Sequence, residues 1–300
     1  MTSLELIKDL YKPYRITKRS KCTIIESMDG TFVIKDKCDK DLKSIFNYLD
    51  SRDFYNHPVL VDNTRGDIDL FEYVEDTDYP IEQKSVDMIK TVASLHSKTC
   101  YTKEVTEDKY KEIYENIRNN IDFYKKEYSK YADIFENEVF MSPSHYLFMR
   151  NISKLNNQII FCEKELNKWY ESIKNKKEIR VCTLHGNLSL NHFLKKEKEV
   201  LISWDHTGQD TPILDLYKFF IDEGLNINSK TLLSNYLEHF HLEDEELKLL
   251  FILLAMPRKI EFTHDEFSSC KSLSNILDSI YKTEELIRPY YLIDDEVQKE

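Results

Sequence analysis

The chain has 300 residues, 41% of them hydrophobic, and a formal net charge of −12 at pH 7. A chain of this length and composition buries a sizeable core, in one large domain or two modest ones. The acidic charge argues against a nucleic-acid partner, because affinity for phosphate backbones depends on clustered Lys and Arg.

No segment is typical of export or of membrane insertion. Met1 to Tyr14 contains no apolar run of signal-peptide length. The longest apolar stretch, Leu247 to Met256, is far too short to span a bilayer. The six cysteines form no CxxC pair and have no histidine at metal-ligand spacing. We therefore expect a cytoplasmic protein with reduced thiols and no membrane partner.

The first 76 residues carry most of the strand signals. The Asp29-Gly30 pair is a strong hairpin signal between two β-rich runs. The elements predicted here are, in chain order, strands at Arg15–Thr17, Cys22–Ser27 and Thr31–Lys35, a helix at Asp39–Asp50, and strands at Val59–Val61 and Asp69–Val74 around a turn at Arg65-Gly66-Asp67. This pattern predicts a small sheet with one helix.

Beyond Tyr79-Pro80 the periodicity of apolar residues is helical. A stripe from Tyr110 to Tyr131 recurs at spacings of three and four, which indicates core packing along one long helix. The predicted helices are Ser85–His96, the helix carrying that stripe, Ser142 to about Lys174, and then Asp215–Glu223, Ser229–Phe240, Glu243–Met256 and Ser272–Arg288. They are interrupted by β-rich runs at Arg180–Leu184, His192–Leu194 and Val200–Trp204.

The β interruption carries the residues with chemical potential. His185-Gly186-Asn187 is followed by Asn191, then by a hairpin ending at Ser203-Trp204-Asp205, then by Asp215 near a helix start. Phosphoryl transfer to a hydroxyl uses this order of parts. A loop residue accepts the hydroxyl proton, an amide oxygen holds magnesium, and a carboxylate after the next hairpin holds magnesium against the phosphates.

This segment resembles the aminoglycoside phosphotransferase and choline kinase group, whose catalytic loop is H-G-D-x-x-x-N. In that group a metal-binding aspartate follows in a hydrophobic-D-[FW]-[ED] strand, and an Asp-Leu pair comes twelve residues later. His185, Gly186, Asn191 and Asp215 match this pattern. Within the group, the segments Met141-Ser142-Pro143 and Asp215 to Phe220 are most similar to the CotS-type spore-coat-associated branch.

The resemblance extends more weakly over the rest of the chain. Lys35 occupies the place of the third-strand lysine that pairs with nucleotide phosphates, and Leu95-His96-Ser97-Lys98-Thr99 is similar to the group's Leu-His-x-x-Thr helix. Glu72, Tyr73 and Val74 lie in a segment similar to the hinge strand that offers backbone groups to adenine.

The resemblance implies an α+β, protein-kinase-like two-lobed fold. We expect a small β-rich N-terminal lobe at residues 1–76 and a large, mostly helical C-terminal lobe at residues 77–300 that holds the catalytic-loop hairpin. In this fold His185 and Gly186 shape the loop, Asp215 is structural, and ATP and magnesium are the cofactors of an active member.

Two departures from the pattern affect the chemistry directly. Asn187 stands where the group has its catalytic aspartate, and an amide cannot take up the hydroxyl proton. Counting back twelve residues from Asp215 places Ser203 at the metal-binding aspartate, and hard cations prefer carboxylate oxygens. Asp205 is two residues further on, so it would share a strand face with Ser203 and substitute as a ligand if the strand were shifted.

Two further departures affect nucleotide binding. The loop from Thr17 to Lys21 contains no glycine, so its backbone amides cannot easily approach phosphates. The helix after Lys35 offers Asp39 and Asp41 but no glutamate for that lysine.

Two hypotheses follow. In the preferred one, the protein is a pseudokinase with a structural or binding role, with a nucleotide or small-molecule ligand, without a cofactor for catalysis, and with spore-coat proteins as partners in a bacterial spore. In the alternative, it is an active phosphotransferase that uses ATP and magnesium on the hydroxyl group of a small molecule, with Asp205 or another, unidentified acidic residue supplying the metal site.

Overall fold

The computed structural model describes residues 7, 9–19, 22–62 and 67–297. The Cα positions group into two compact units. The first consists of Met1–Tyr101, Val181–Asp215 and Ser234–Phe240, and the second of Thr102–Arg180, Leu216–Leu233 and His241–Glu300.

The elements alternate between a strand-rich beginning, a short β segment and long helical stretches. The strands are β1 (Arg15–Lys18), β2 (Thr23–Ser27), β3 (Gly30–Asp36), β4 (Leu60–Asp62), β5 (Ile68–Glu72), β6 (Tyr101–Glu104), β7 (Glu178–Leu184), β8 (Phe193–Lys195), β9 (Glu199–Leu201) and β10 (Gly208–Asp210). The helices are α1 (Leu42–Ser51), α2 (Ile81–Thr99), α3 (Glu107–Glu136), α4 (Pro143–Ile173), α5 (Ile213–Asp222), α6 (Ser229–His239), α7 (Asp244–Leu254) and α8 (Glu266–Val297).

The first unit contains a five-stranded antiparallel sheet in the order β1-β2-β3-β5-β4. The turn at Met28-Asp29 joins β2 to β3 with Ser27 opposite Gly30, as the Asp-Gly signal predicts. Successive side chains of a strand point to opposite faces, so each strand of the sheet contributes to two surfaces.

One face of this sheet is a hydrophobic core and the other faces a pocket. Phe32 and Ile34 of β3 pack with Ile68 and Leu70 of β5 and with Ile25 of β2. The alternate residues of β3 and β5 lie on the opposite face. In the register of these strands Lys35 is directly opposite Asp69, and Val33 is directly opposite Phe71. The sheet thereby presents Lys35 on the face away from the core.

A second group of short strands completes the first unit. Strand β10 pairs with β7 in antiparallel register, with Gly208 opposite Leu184, and β8 and β9 form a two-stranded hairpin. The hairpin ends at Leu201, and a single 3-10 turn follows at Trp204–His206. The chain then enters α5, whose first turn contains Asp215.

The second unit is built around the long helices α3 and α4. The aromatic stripe of α3 is packing surface, as predicted: Ile121 and Tyr128 are fully buried. The rings of Tyr131 and Phe135 contact Phe148 of α4 edge to face. Helix α4 begins with Ser142 as its N-cap and Pro143 in its first turn, an arrangement that proline's fixed φ favours.

The α+β fold class is confirmed: a small antiparallel sheet at the N-terminal end accompanies a large helical part. One strand prediction is wrong, because β9 ends at Leu201 and Trp204 lies in a 3-10 turn instead of a strand. Strands β6 and β10 were not predicted. The turn at Arg65-Gly66 lies outside the described residues, and the lobe boundary near Asp76 stays a prediction.

None of the helices within the described ranges combines the length and the hydropathy that crossing a membrane requires.

Candidate functional site

Strand β7 ends at Leu184, and the His185-Gly186-Asn187 loop follows it directly. The imidazole of His185 is fully buried and stands edge to face against Trp204, at a centroid distance of 4.8 Å. His185 Nε2 lies 2.9 Å from the carbonyl oxygen of Ile202, so Nε2 carries the proton and donates it. Nδ1 then accepts from the backbone amide of Asn187, at 3.3 Å. The ring thus joins the loop to the segment after β9.

Burial also sets the protonation state of this ring. Removal from water lowers the pKa of His185 to about 4, against a smaller raising influence of the Asp215 charge. The imidazole is therefore neutral near pH 7, and the hydrogen bonds at its two nitrogens fix one tautomer. A neutral, tautomerically fixed histidine is suited to holding a loop.

The carboxylate of Asp215 holds the loop from the other side. Its Oδ2 accepts from the backbone amide of His185 and its Oδ1 from that of Gly186, both at 2.8 Å. Burial would raise the pKa of Asp215, but the hydrogen bond from His96, the charges of nearby histidines and the Gly186 amide together keep that pKa below its ordinary value. The loop amides therefore face an ionised carboxylate.

A buried chain of hydrogen bonds anchors this carboxylate. His96 of α2 places Nε2 at 3.2 Å from Asp215 Oδ2 and Nδ1 at 2.6 Å from the hydroxyl of Tyr236 on α6. His96, Asp215 and Tyr236 are all almost completely inaccessible to water. Because each polar atom in such a chain has its partner, the low dielectric of the interior strengthens the bonds.

The loop requires glycine at position 186. Gly186 has φ of +74°, in the left-handed region. A Cβ atom at this residue would stand 2.1 Å from the carbonyl oxygen of His206, closer than any contact that side chains make. The position is therefore restricted both by its backbone conformation and by the space around it.

Ser203 also has a left-handed backbone, with φ of +67° and ψ of +56°. Its hydroxyl oxygen accepts a hydrogen bond from Lys35 Nζ at 3.0 Å, which links β3 to the segment after β9. The left-handed turn ends the strand geometry before Asp205. The expectation that Ser203 and Asp205 share a strand face is therefore wrong, because alternation holds only in extended backbone.

Neither of the two aspartates that follow Lys35, Asp39 and Asp41, pairs with it in the described part of the chain. Asp41 accepts from the backbone amide and the hydroxyl of Ser44, so it serves as the N-cap of α1. In the part of the chain that the structure describes, Lys35 makes no ion pair within 4 Å with Asp39, Asp41 or any other carboxylate. Asp69, opposite Lys35 on β5, is buried, and this burial raises its pKa, with the charge of Asp205 adding to the increase.

A pocket of about 330 Å³ lies in the first unit. It brings together the predicted residues of the nucleotide and metal sites: Lys35, Glu72, Tyr73, Val74, Asn191, Ser203 and Asp205. Its apolar lining includes Ile24, Val33, Phe46, Phe71, Leu194 and Trp204. A pocket with apolar walls and a limited number of polar groups is typical of small-molecule sites.

One backbone amide of the hinge segment has no acceptor among the described residues. The amide of Glu72 donates to Val59, and the amide of Tyr73 donates to Thr31, both at 3.0 Å. Among the described residues no acceptor is hydrogen-bonded to the amide of Val74, which follows directly. Of the three predicted hinge residues, which all line the pocket, Val74 is thus the one whose amide has no acceptor in the described part of the chain.

The residues at the predicted metal position do not suit a magnesium ion. Asn191 and Ser203 are neutral, and the hydroxyl of Ser203 already accepts from the Lys35 ammonium. No group of three or more His, Cys, Asp or Glu side chains that could hold a metal exists within residues 7–297 as far as they are described. Among the described residues, the carboxylates that line the pocket are those of Glu72, Asp76 and Asp205, and Asp205 belongs to the same turn as Ser203. Hard divalent cations select sites with several anionic oxygens.

The hydrogen bonds that position Asn187 in the loop are made by its backbone atoms. Its carbonyl oxygen accepts from His192 Nδ1 at 2.8 Å, and its amide donates to His185. Its side-chain amide makes no hydrogen bond with the described residues, and Asn187 is not part of the pocket lining. The structure therefore brings the nucleotide and metal positions together and leaves the side chain of residue 187 outside that cavity.

Several residues of the site were not predicted. Tyr236 is 140 positions from its partner His96, and no local pattern relates the two. Arg19 and Cys22 line the pocket where the glycine-free loop ends, while Ser20 and Lys21 of that loop lie outside the described residues. The Leu-His-x-x-Thr likeness was the one signal for His96, and it gave no role.

Among the comparisons with known proteins, those with solved structures identify the fold of this chain. No protein-family model matches this chain, and no curated protein sequence matches it. An aminoglycoside phosphotransferase from Alicyclobacillus acidocaldarius superposes with a TM-score of 0.68 at 10% identity, over 95% of this chain and 93% of that one. The AMP-bound spectinomycin phosphotransferase APH(9)-Ia superposes with a TM-score of 0.54 at 13% identity, over 93% and 96%.

The superposition with a choline kinase, LicA from Streptococcus pneumoniae, covers 99% of this chain and 99% of that one, at 14% identity and with a TM-score of 0.44. The conclusion rests on the two higher-scoring structures, and the predicted closeness to CotS-type proteins stays a prediction. This chain has the protein-kinase-like fold of the aminoglycoside phosphotransferases.

Proposed function

We propose that this protein is a pseudokinase: a kinase-fold protein that binds a nucleotide in the pocket beside Lys35 and transfers no phosphate. One observation carries the proposal. The two positions that must be anionic for proton transfer and metal binding are occupied by Asn187 and Ser203, and Ser203 is hydrogen-bonded to Lys35. The loop that carries Asn187 is nevertheless held by hydrogen bonds from the amides of His185 and Gly186 to the carboxylate of Asp215.

The departures from the family pattern affect the residues needed for catalysis and leave unchanged the residues that shape the loop, which supports a binding role. Each residue that shapes the loop has its partner, as seen in the pairing of Asp215 with the amides of His185 and Gly186. A general base typically accelerates proton transfer by about 10²–10⁴-fold, and an asparagine cannot supply this contribution. The free amide of Val74 and the apolar pocket walls favour a planar, heteroaromatic group at the hinge end.

The similar structures support the choice of a nucleotide as ligand. APH(9)-Ia, whose structure has the same fold as this chain, was solved with AMP bound. At 13% identity this likeness transfers no residue role, so the ligand class is proposed from the pocket of this chain together with the fold.

The proposal is tested by a phosphate-transfer assay on the purified protein. ATP with magnesium is supplied together with aminoglycosides, choline and ethanolamine, and ADP release and product formation are followed. We expect no turnover above that of buffer. Turnover that is lost in a Lys35→Met variant would refute the pseudokinase proposal.

A second set of variants tests whether the missing groups account for inactivity. Asn187→Asp alone and Ser203→Asp alone are expected to remain inactive, since each restores one of two required groups. The double variant Asn187→Asp/Ser203→Asp is the one in which ATP hydrolysis is expected. Activity in wild type equal to that of the double variant would count against the assignment of both positions.

One observation favours the alternative function, an active phosphotransferase. The side chain of Asp205 lines the same pocket as Asn191 and Ser203 and could supply the anionic oxygen that Ser203 lacks. In that case Asp205→Asn abolishes magnesium-dependent turnover, while Asp210→Asn, at an exposed position in the nearby β10, preserves it.

The spore-coat location that the resemblance implies is also a proposal. Its test is cell fractionation of a sporulating source, with an antibody against the chain. Enrichment in the coat fraction over the cytoplasm supports the coat assignment, and an exclusively cytoplasmic distribution contradicts it.

A further inference from the structure

We propose that the pocket binds the phosphate groups of a purine nucleotide by direct contact with Lys35 and Arg19, without a divalent cation. The inference rests on the proposed nucleotide site and deepens it. It starts from the disagreement between the metal expected in this fold and the residues found here.

The first observation is the state of Lys35. Its ammonium group is half-buried on β3 and bonded to a neutral hydroxyl, that of Ser203, at 3.0 Å. Among the described residues no carboxylate lies within 4 Å of Lys35 Nζ. A partly desolvated cation without an anionic partner attracts an anion more strongly than an ion-paired one does.

The second observation is another cation at the same pocket. Arg19 lines the cavity together with Lys35. Its backbone amide donates to the carbonyl of Cys22 at 2.8 Å, which holds the backbone of Arg19 beside β2. Its guanidinium forms no ion pair with any described carboxylate. Arginine presents several donors in a planar arrangement that matches phosphate oxygens.

The third observation concerns the place of the metal. A magnesium ion bound to Ser203 Oγ would compete with Lys35 for the same oxygen and would stand next to its positive charge. Asn191 is also neutral, so Asp205 is the one anionic residue among the three predicted ligands. The positive charge that magnesium would bring to the phosphates is already present here on protein side chains.

The part of the cavity at the hinge segment suits the base of the nucleotide. The amide of Val74 is a free donor beside apolar walls that include Val33 and Phe71. A flat heteroaromatic ring with an acceptor nitrogen suits that end, and an anion suits the end at Lys35. A purine nucleotide combines both groups.

The test is isothermal titration of the full chain with ADP and with ATP, once in EDTA and once in excess magnesium. We expect the dissociation constants in the two conditions to agree within about twofold. The affinity is expected to fall with added salt, since the contacts are ionic. A dissociation constant about tenfold or more lower in magnesium than in EDTA overturns the inference and points to Asp205 as a metal ligand.

Variants make the test specific. Lys35→Gln and Arg19→Gln each remove one phosphate contact and are expected to weaken binding in EDTA by about tenfold or more. Lys37→Gln is the matched control: it removes a neighbouring, exposed cation that is not part of the pocket lining, and binding is expected to be unchanged. Equal weakening by all three variants would contradict a defined contact.

Ser203→Asp supplies the converse test. The new carboxylate pairs with Lys35 and offers magnesium an anionic ligand, so binding should become weaker in EDTA and stronger with magnesium. If neither nucleotide binds wild type in either condition, the inference fails and the nucleotide ligand of the proposed function fails with it. Phosphate transfer by wild type refutes the pseudokinase proposal and is seen in a different assay.

Discussion

Asp215 and Gly186 are joined by a 2.8 Å hydrogen bond from the glycine amide to Oδ1 of the buried carboxylate. The other oxygen of the carboxylate accepts from the amide of His185. Asp215→Asn would turn an NH₂ group toward one of these donors. We expect it to lower the free energy of unfolding by about 2–4 kcal/mol.

Urea unfolding followed by circular dichroism measures this loss. The matched control is Asp222→Asn at the other end of α5, an exposed carboxylate, where a change within about 0.5 kcal/mol is expected. A loss in Asp215→Asn no larger than in the control would show that the carboxylate does not hold the loop.

Gly186→Ala is expected to disrupt the loop. The left-handed backbone costs a non-glycine residue about 1–2 kcal/mol, and the clash of the new Cβ with His206 adds to this cost. Gly208→Ala is the control, since a Cβ at Gly208 meets no atom within 4 Å. Thermal unfolding of both variants separates the two effects, and similar melting temperatures would contradict the described loop geometry.

Tyr236→Phe removes the hydroxyl that bonds His96 and leaves the packing of the ring in place. We expect a loss of about 1–2 kcal/mol, because a buried imidazole nitrogen is left unpaired. Tyr146→Phe, at an exposed tyrosine, is the control.

A double-mutant cycle with Asp215→Asn tests whether Tyr236 acts through the chain of bonds. A coupling energy of about 0.5 kcal/mol or more is expected for residues in one network. Additive losses would mean that Tyr236 and Asp215 stabilise the fold independently.

The stability of the fold should decline in mild acid because of His185. The unfolded histidine takes up a proton near pH 6.5, whereas the folded one takes it up only near pH 4. Between these values the unfolded state binds more protons, so stability is complete above pH 6.5 and falls as pH decreases toward 4. A shift of roughly 2.5 units corresponds to a loss on the order of 3 kcal/mol.

Chemical unfolding at a series of pH values measures this decline. His185→Gln keeps a donor for the Ile202 carbonyl and has no titrating ring, so its stability curve should be flatter between pH 4.5 and 6.5. Tyr146→Phe, at an exposed tyrosine, is the control, expected to leave the slope of the curve unchanged in this range. Parallel curves for wild type and His185→Gln would contradict the assignment.

The fold class was predicted from the resemblance to a family, and most elements were predicted from the sequence because their signals are local. The Asp29-Gly30 hairpin and the apolar stripe of α3 depend on residues that are near each other in the chain. The left-handed turn at Ser203 could not be predicted this way. The β-rich run through Trp204 has no glycine or proline to mark the end of β9, and tertiary contacts such as the Lys35 bond hold the turn.

The candidate site shows the same limit. Its loop and Asp215 were identified by their match to the family pattern, and the structure joins them directly. The pairing of His96 with Tyr236, and of Lys35 with Ser203, depends on chain segments more than a hundred residues apart. No periodicity within either segment contains that information.

The hydrogen bonds that shape the loop at residue 187 use only its backbone atoms. The architecture is therefore indifferent to whether an amide or a carboxylate stands there. In the genetic code asparagine and aspartate differ by a single base, whereas serine and aspartate differ by two. A lineage carrying this gene could thus recover the proton acceptor by one point mutation without disturbing the fold, and the change at Ser203 is the greater evolutionary obstacle to renewed catalysis.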